Sequence, residues 1–455
     1  MGVKTIEEKK LHFVDPSWQS DLSGAYRAMT SIKDAQSLLH TPAGCQLYVY
    51  ALQSMQDFYY GMTGTTALAE RDIVFGGEEK LQQALTKSLE VFNPKMIGII
   101  GSTASRLIGD DIKGIKNLVQ NQAGTDIPIL SIDTSSVEGD HISGYNLVLD
   151  ALVETVMKPA KNKLPRTVNI FGIQEDAPNG RADFFEVTHL LQELGIKVHV
   201  PFLCDNSTQQ ISKAPEASLN IVLSDNLGLS AARLMKQKFD IPYLTLDYPI
   251  GITNTTRFLK EIATYFDVKE QIVDTLVEKE MQLVYRVLAE GNFYLDDFPG
   301  VRAAIISDSM MALAFARMLK EDLAIDPALV CMVTCGKDSV ARLEAMEQEL
   351  GLDVMFLKKP NYIHIRKALE ETRPNLVLGG ILEKFTMEQV GLLEMGGIFM
   401  SIPTFPSAWG VHTFPRPFVG FKGFVNILET LMNELIRFGF PPQSSFRKMN
   451  FIEGY

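Results

Sequence analysis

The sequence predicts an α/β protein of three doubly wound domains, each a parallel sheet with helices on both faces. Three observations carry this reading. Short continuous apolar runs of strand length alternate with amphipathic stretches of helical length, the pattern of strands buried on both faces. The alternation breaks at the lysine- and proline-rich segment KPAKNKLPRT, 158–167, and again at the Pro-Gly of 299–300, and restarts after each. The chain has 455 residues, which at roughly 150 per domain suits about three domains. The expected division is an amino-terminal arm over 1–19, domain I over 20–160, domain II over 161–298, and domain III with C-terminal helices over 299–455.

In domain I the text SDLSGAYRAMTSIKDAQSLLH puts Ala25, Met29, Ile32, Ala35 and Leu39 on one helical face. A helix is therefore expected from Ser20 straight into the turn His40-Thr41-Pro42-Ala43-Gly44-Cys45. Proline fixes φ and glycine permits close backbone approach, so this turn can hold a thiol rigidly, as a metal ligand requires. A buried, inert cysteine in an ordinary helix-to-helix turn would leave the same local pattern. Further on, a helix is expected over 46–59, a short extended piece over 72–75 and an amphipathic helix over 78–92. Strands are expected at 96–100 and 128–132, then a helix at 147–157.

Domain II reads as strand 168–173, helix 182–194, strands 197–201 and 219–224, helix 230–239, an extended piece at 241–244 and a long helix over 256–290. Domain III reads as strand 302–307, helix 310–319, strand 329–334, helix 339–350, strand 353–357, helix 363–371 and strands 375–378 and 397–402. Ligands of such sheets bind beyond the carboxyl ends of the strands, near the switch points. That rule nominates the loops 101–106, 133–141, 224–228, 307–309 and 379–384.

Composition narrows the chemistry. Hydrophobic residues at 46% and charged residues at 22% are ordinary for a folded globular chain. The net charge of −12 speaks against a nucleic-acid partner held by its phosphates. No apolar stretch of about 18 residues occurs, so no membrane span is expected. The start MGVKTIEEKKLHF mixes acids with lysines and lacks an apolar core, so no secretory signal is expected and the expected compartment is the cytoplasm.

No G-x4-G-K-[ST] is present and no G-x-G-x-x-G follows a strand, so no nucleotide is expected on this chain. No G-x-S-x-G elbow occurs, and the seven histidines sit apart without ligand spacing, each reading as a surface or satisfied core histidine. The four cysteines stand at 45, 204, 331 and 335, too few for a disulfide scaffold. Cys331 and Cys335 read as a buried strand running into a Gly-Lys turn, since no second pair completes a zinc site.

Several stretches, in order from about residue 20 to 435, carry a resemblance. They are SGAYRAM with TPAGC, ERDIVFGGEEKL, PKMIGIIGSTASRLIGDDI, DTSSVEGDHISGYN, PNLVLGGILEK and FPRPFVGFKGFVNILETLMNEL. Together the chain resembles the nitrogenase component 1 family: nitrogenase subunits, their cofactor-assembly scaffold subunits, the dark-operative protochlorophyllide and chlorophyllide reductases, and other nitrogenase-like reductases. The resemblance implies the nitrogenase component 1 fold of three Rossmann-like domains. It also implies an iron-sulfur cluster at the interface of two related subunits, fed with electrons by an ATP-hydrolysing iron protein.

The family offers three cysteine positions per subunit in its first domain. One falls at Cys45, the earlier one falls near Ser20 and Asp21, and the later one falls at Thr103. A [4Fe-4S] cluster needs four protein ligands. The resemblance therefore implies Cys45 as this subunit's single thiol, with an α-type partner supplying the rest of a shared cluster, most simply in a heterotetramer. Asp21 could add a carboxylate, as an aspartate does in the protochlorophyllide reductases. The α-type subunit also holds an iron-sulfur active-site cofactor through a cysteine in its second domain and a histidine near its end. Here LSDNLGLSAARL offers Ser224, and His412 in WGVHTFPRPFVGF is shifted, so the resemblance is to a beta-like subunit and no catalytic residue is assigned.

The implied function is a beta-like subunit of a nitrogenase-like oxidoreductase. The alternatives are a non-catalytic scaffold for assembling a nitrogenase-type metallocluster and a cluster-free subunit that binds a partner or a tetrapyrrole-like molecule. The substrate stays open among nitrogen, a thioether, a tetrapyrrole and an assembly intermediate.

Overall fold

The computed structural model describes residues 20–53, 62–134, 139–175, 177, 179–295, 298–402 and 416–438. The expected arm and His412 lie outside them. The first sheet contains β1 (Ala35–His40), β2 (Met62–Thr65), β3 (Met96–Ser102) and β4 (Ile129–Thr134), in the order β2-β1-β3-β4. The second contains β5 (Leu164–Phe171), β6 (Lys197–Pro201), β7 (Ala217–Val222) and β8 (Tyr243–Thr245), in the order β6-β5-β7-β8. The third contains β9 (Arg302–Ser307), β10 (Asp326–Met332), β11 (Met355–Lys358), β12 (Leu376–Gly379) and β13 (Ile398–Ser401), in the order β11-β10-β9-β12-β13.

All neighbouring strands run parallel. The three sheets span residues 35–134, 164–245 and 302–401. In each, the order reverses beside the first strand, which puts switch points at β1/β3, β5/β7 and β9/β12. Among the described residues no helix is long and apolar enough to cross a membrane.

The helix expected to run from Ser20 to the Cys45 turn is instead a helix, Asp21–Thr30, followed by β1. At its end the Thr30 hydroxyl donates to the Arg27 carbonyl at 3.0 Å and the Ser31 hydroxyl to the Ala28 carbonyl at 2.8 Å. Such side-chain bonds compete with the helix ladder. All six residues of β1 are buried. A strand covered on both faces shows no alternation, and its apolar spacing happened to extend the helical one.

The piece expected to be extended at 72–75 belongs to the helix Glu70–Phe75. The Asp72 carboxylate accepts from the Ala69 amide at 2.7 Å and caps its first turn. The long helix expected over 256–290 is two helices, Ile252–Tyr265 and Glu270–Leu295, parted at Asp267, whose φ is +50°. The helix expected over 46–59 is Ala43–Gln53, with 54–61 outside the described residues. Strand β2 and the helix Ile381–Gln389 were not foreseen in the sequence.

One buried apolar cluster joins the helix Asp21–Thr30, β1, β3 and β4 to residues of β5, β6 and β7, and a second joins the other side of the second sheet to the third. In the first cluster the helices Asp21–Thr30 and His141–Thr155 cross at two glycines. A methyl group on Gly24 would strike the His141 carbonyl, and one on Gly144 would strike that of Asp21. Both glycines come from stretches that carried the family resemblance, SGAYRAM and DHISGYN.

Candidate functional site

The first candidate site lies at the carboxyl edge of the first sheet. β1 ends at His40, and the chain goes on to pair with the segment after β2, where the Leu68 amide donates to the Thr41 carbonyl at 2.9 Å. The helix Ala43–Gln53 starts at once, and Cys45 stands exposed in its first turn. The thiol is therefore not buried within this chain. A methyl group on Gly44 would meet nothing within 4 Å, so the close approach expected of that glycine is not made among the described residues.

Thr103, also exposed, opens the helix Thr103–Leu107 directly after β3. His40 is paired with Gly101, and the Ser102 hydroxyl donates to the His40 carbonyl at 3.3 Å. Cys45 and Thr103 thus follow adjacent strand ends at the β1/β3 switch point. Asp21 and Ser20 are placed differently. Asp21 is buried with one carboxylate oxygen accepting from the Leu22 amide at 2.9 Å, and Ser20, half-buried, is the N-cap of that helix.

The buried ring of His40 ties this edge together. The neutral tautomer that satisfies both nitrogens has Nε2–H donating to Asp110 Oδ2 at 2.8 Å and Nδ1 accepting from the Thr66 hydroxyl at 3.1 Å. The other oxygen of Asp110 accepts from the Gly77 amide at 2.9 Å. Burial pushes the His40 pKa below its ordinary value, against the pull of Asp110. Three loops, after β1, β2 and β3, are fastened to one imidazole. From the sequence His40 read as a surface or satisfied core histidine, and the structure makes it a core one; its partner, 70 residues away, gave no local signal. Around the same edge the helices after these strands leave Leu47, Val74, Phe75 and Leu107 exposed by 70%, 73%, 81% and 82%. Large exposed apolar side chains gathered at one end of a sheet mark an interaction surface.

The second candidate lies at the carboxyl ends of β5, β7 and β9, where the nominated loops 224–228 and 307–309 meet. It encloses about 40 Å³ and is lined by, among others, Gln174, Asp183, Ser224, Asn226, Tyr248 and Asp308. The Ser224 hydroxyl donates to Asn226 Oδ1 at 2.7 Å and accepts from the Leu227 amide at 3.0 Å, so it is committed to its own turn. Asp183 Oδ1 accepts from the backbone amides of Phe418 and Val419 at 2.6 and 3.2 Å. Burial nonetheless raises its pKa to about 7, overriding those two donors. Sequence reasoning missed Gln174, Asp183 and Tyr248, which come from three separate segments.

The remaining nominations do less. The loop 133–141 is described only in part, and in 379–384 Glu383 caps its own helix through the Gly380 amide at 2.8 Å. Cys331 is buried and Cys335 half-buried. Among the described residues no group of three or more His, Cys, Asp or Glu could hold a metal ion. Among the described residues this edge offers one exposed thiol, too few donors to hold a [4Fe-4S] cluster within this chain.

Residues 20–436 match the family described as nitrogenase component 1 type oxidoreductase. The chain is 26% identical over 377 residues to the nitrogenase iron-molybdenum cofactor biosynthesis protein NifE of Clostridium pasteurianum, covering 81% of this chain and 79% of that one. It is 25% identical over 430 residues to the nitrogenase molybdenum-iron protein alpha chain of Methanothermobacter marburgensis, covering 90% and 85%. Among solved structures, nitrogenase Cp1 at pH 6.5 superposes with a TM-score of 0.82 over 95% of each chain at 19% identity, a likeness of fold. A family match across nearly the whole chain and a shared three-sheet fold lead to one conclusion: this protein is a member of the nitrogenase component 1 family.

Proposed function

We propose that this chain is a subunit of a nitrogenase-like component 1 complex, in which Cys45 is its single thiol ligand to a [4Fe-4S] cluster completed by an α-type partner subunit. An ATP-hydrolysing iron protein supplies the electrons. The observation that carries the reading is the exposed Cys45 at the β1/β3 switch point, on an edge rich in exposed apolar side chains. The open space beside Gly44 supports it, since it leaves room for a partner's backbone.

A cluster bound here supplies one-electron transfer. This chain's own residues do the rest. Cys45 offers its sulfur from a turn held by the Thr41–Leu68 backbone bond. The first turn of its helix favours negative charge. Leu47, Phe75 and Leu107 would exclude water once covered. Thr103 contributes a hydroxyl at the neighbouring strand end, and the buried Asp21 and Ser20, at the N-cap position, are assigned no bond to iron.

The beta-like part rests on Ser224, whose hydroxyl is used within its turn. The relatives named above carry α-chain and NifE names, and the second of those names favours the scaffold reading as the alternative. Co-expression with the partner subunit, iron analysis and low-temperature EPR of the reduced complex test the cluster. Cys45→Ala is expected to remove most of the iron and the signal; an iron-free complex, or one whose spectrum ignores the substitution, would overturn it. Turnover of a reducible substrate with iron protein and ATP would then count against a pure scaffold.

A further inference from the structure

We propose that the cavity between the second and third sheets binds a small organic cation that also carries a carbonyl-type acceptor, in place of an iron-sulfur active-site cofactor. The inference does not depend on Cys45. Its first support is a pair of orphaned groups. Asp183 Oδ2 and Gln174 Nε2 are buried with no hydrogen-bond partner, in side chains of residues only 1% and 8% exposed, and both residues line the cavity. A buried acceptor and a buried donor left open in one cavity are rare in folded proteins and point to a missing partner. A ligand with a donor for Asp183 beside an acceptor for Gln174 answers both.

The sign of the charge is the second support. The described lining holds two carboxyl groups, Asp183 and Asp308, and no lysine, arginine or histidine. Facing Asp183 are Glu186 on its own helix, Gly180–Glu193, whose carboxylate is paired with Lys422 of the helix Gly420–Phe438 at 2.9 Å, and Tyr248 from the segment after β8. Asp308, after β9, accepts from the Thr334 hydroxyl at 2.6 Å, with His141 lying toward it. An anionic iron-sulfide cofactor would meet repulsion here and no thiol, because Ser224 stands where the family resemblance asks for cysteine. The enclosed 40 Å³ sets the scale at a few heavy atoms.

The test is isothermal titration of the full chain with β-alaninamide, which has both groups, methylammonium, which has only the cation, and acetate, at pH 8 and pH 6. We expect β-alaninamide to bind more tightly than methylammonium, and acetate not to bind. Between pH 8 and pH 6 the affinity should fall about tenfold as Asp183 takes up a proton near its pKa of about 7. Asp183→Asn keeps an oxygen for the Phe418 and Val419 amides and should lose at least tenfold in affinity for both cations. Gln174→Leu should erase the advantage of β-alaninamide, and it decides the question if the Asp183 variant fails to fold by near-UV circular dichroism. Absence of cation binding, which would mean ordered water only, binding of acetate, or affinities unchanged in both variants would overturn the proposal.

Discussion

His40 stands five residues before Cys45, and its energetics are set by two contacts that are both buried. Its side chain and that of Asp110 are 0% and 2% exposed, so removing the ring takes away the donor of one Asp110 oxygen, the other keeping the Gly77 amide, and the acceptor of the Thr66 hydroxyl. Leaving such groups unsatisfied costs roughly 1–3 kcal/mol each, more when one is charged. His40→Leu is expected to destabilise the chain by about 3 kcal/mol in urea denaturation at pH 7.5. The substitution also changes the pH slope, and the sign follows from burial. The folded His40 has its pKa pushed down, so below the ordinary value of 6.5 the unfolded chain takes up a proton that the fold refuses. His40 therefore lowers stability as pH falls through 6.5 toward 5. Buried acids with raised pKa values, Asp150, Asp308 and Asp322 among them, act in the opposite direction, so only the difference between wild type and variant isolates the histidine. The gap between the two should narrow on going from pH 7.5 to pH 5.5; a constant gap would show that His40 is not neutral in the fold.

At the scale of elements, the two glycine stretches SGAYRAM and TPAGC have opposite physical meanings. Gly24 and Gly144 let two helices cross with their backbones touching, and either changed to alanine puts a methyl group into a carbonyl with no flexible side chain to yield. Overpacking of this kind costs typically 1–3 kcal/mol, and here the upper end is expected for Gly24→Ala. Gly44→Ala should leave the stability of the isolated chain within about 0.5 kcal/mol, because nothing among the described residues lies within 4 Å, and on the proposed function should weaken only assembly with the proposed partner subunit. Equal losses for the two variants in thermal melts of the isolated chain would contradict this. The same contrast shows what the sequence could reveal. Amphipathic helices such as Glu78–Phe92 and Ser339–Leu350 were legible because one face meets water, and Arg302–Ser307 because a Pro-Gly precedes an unbroken apolar run. Strand β1 was not, because burial on both faces erased the period that separates strand from helix. The turn that carries Cys45 was legible through its Pro-Ala-Gly residues, whereas the pairing of His40 with Asp110 and the meeting of Gln174, Asp183 and Tyr248 arise only when distant segments fold together.

Across the whole molecule, the loop after β7 is where the three sheets are joined. From the first, Asn146 donates to the Asn226 carbonyl at 2.6 Å and accepts from the Gly228 amide at 2.8 Å. From the third, Ser309 donates to Asp225 at 2.8 Å, Ser339 donates to its other oxygen, and Thr334 receives the side-chain amide of Asn226 at 3.2 Å. Gly336 packs so closely on the Asp225 carboxylate that a methyl group there would overlap it. Since Ser224 and Asn226 also line the cavity, whatever occupies the cavity touches the loop that holds the sheets in register. Asp225→Ala removes the acceptor of two buried serine hydroxyls at the boundary between the second and third sheets, a loss of roughly 2–4 kcal/mol. That loss falls on the coupling between units rather than on any one core, so scanning calorimetry should show a lower and broader, or split, transition. Asp326→Ala, which breaks only the exposed pair with Lys320 at 2.6 Å, should leave the transition unchanged in width and within about 0.5 kcal/mol in stability. A transition for Asp225→Ala as narrow as the wild type's would mean that the buried apolar clusters, and not this polar loop, make the three sheets unfold together.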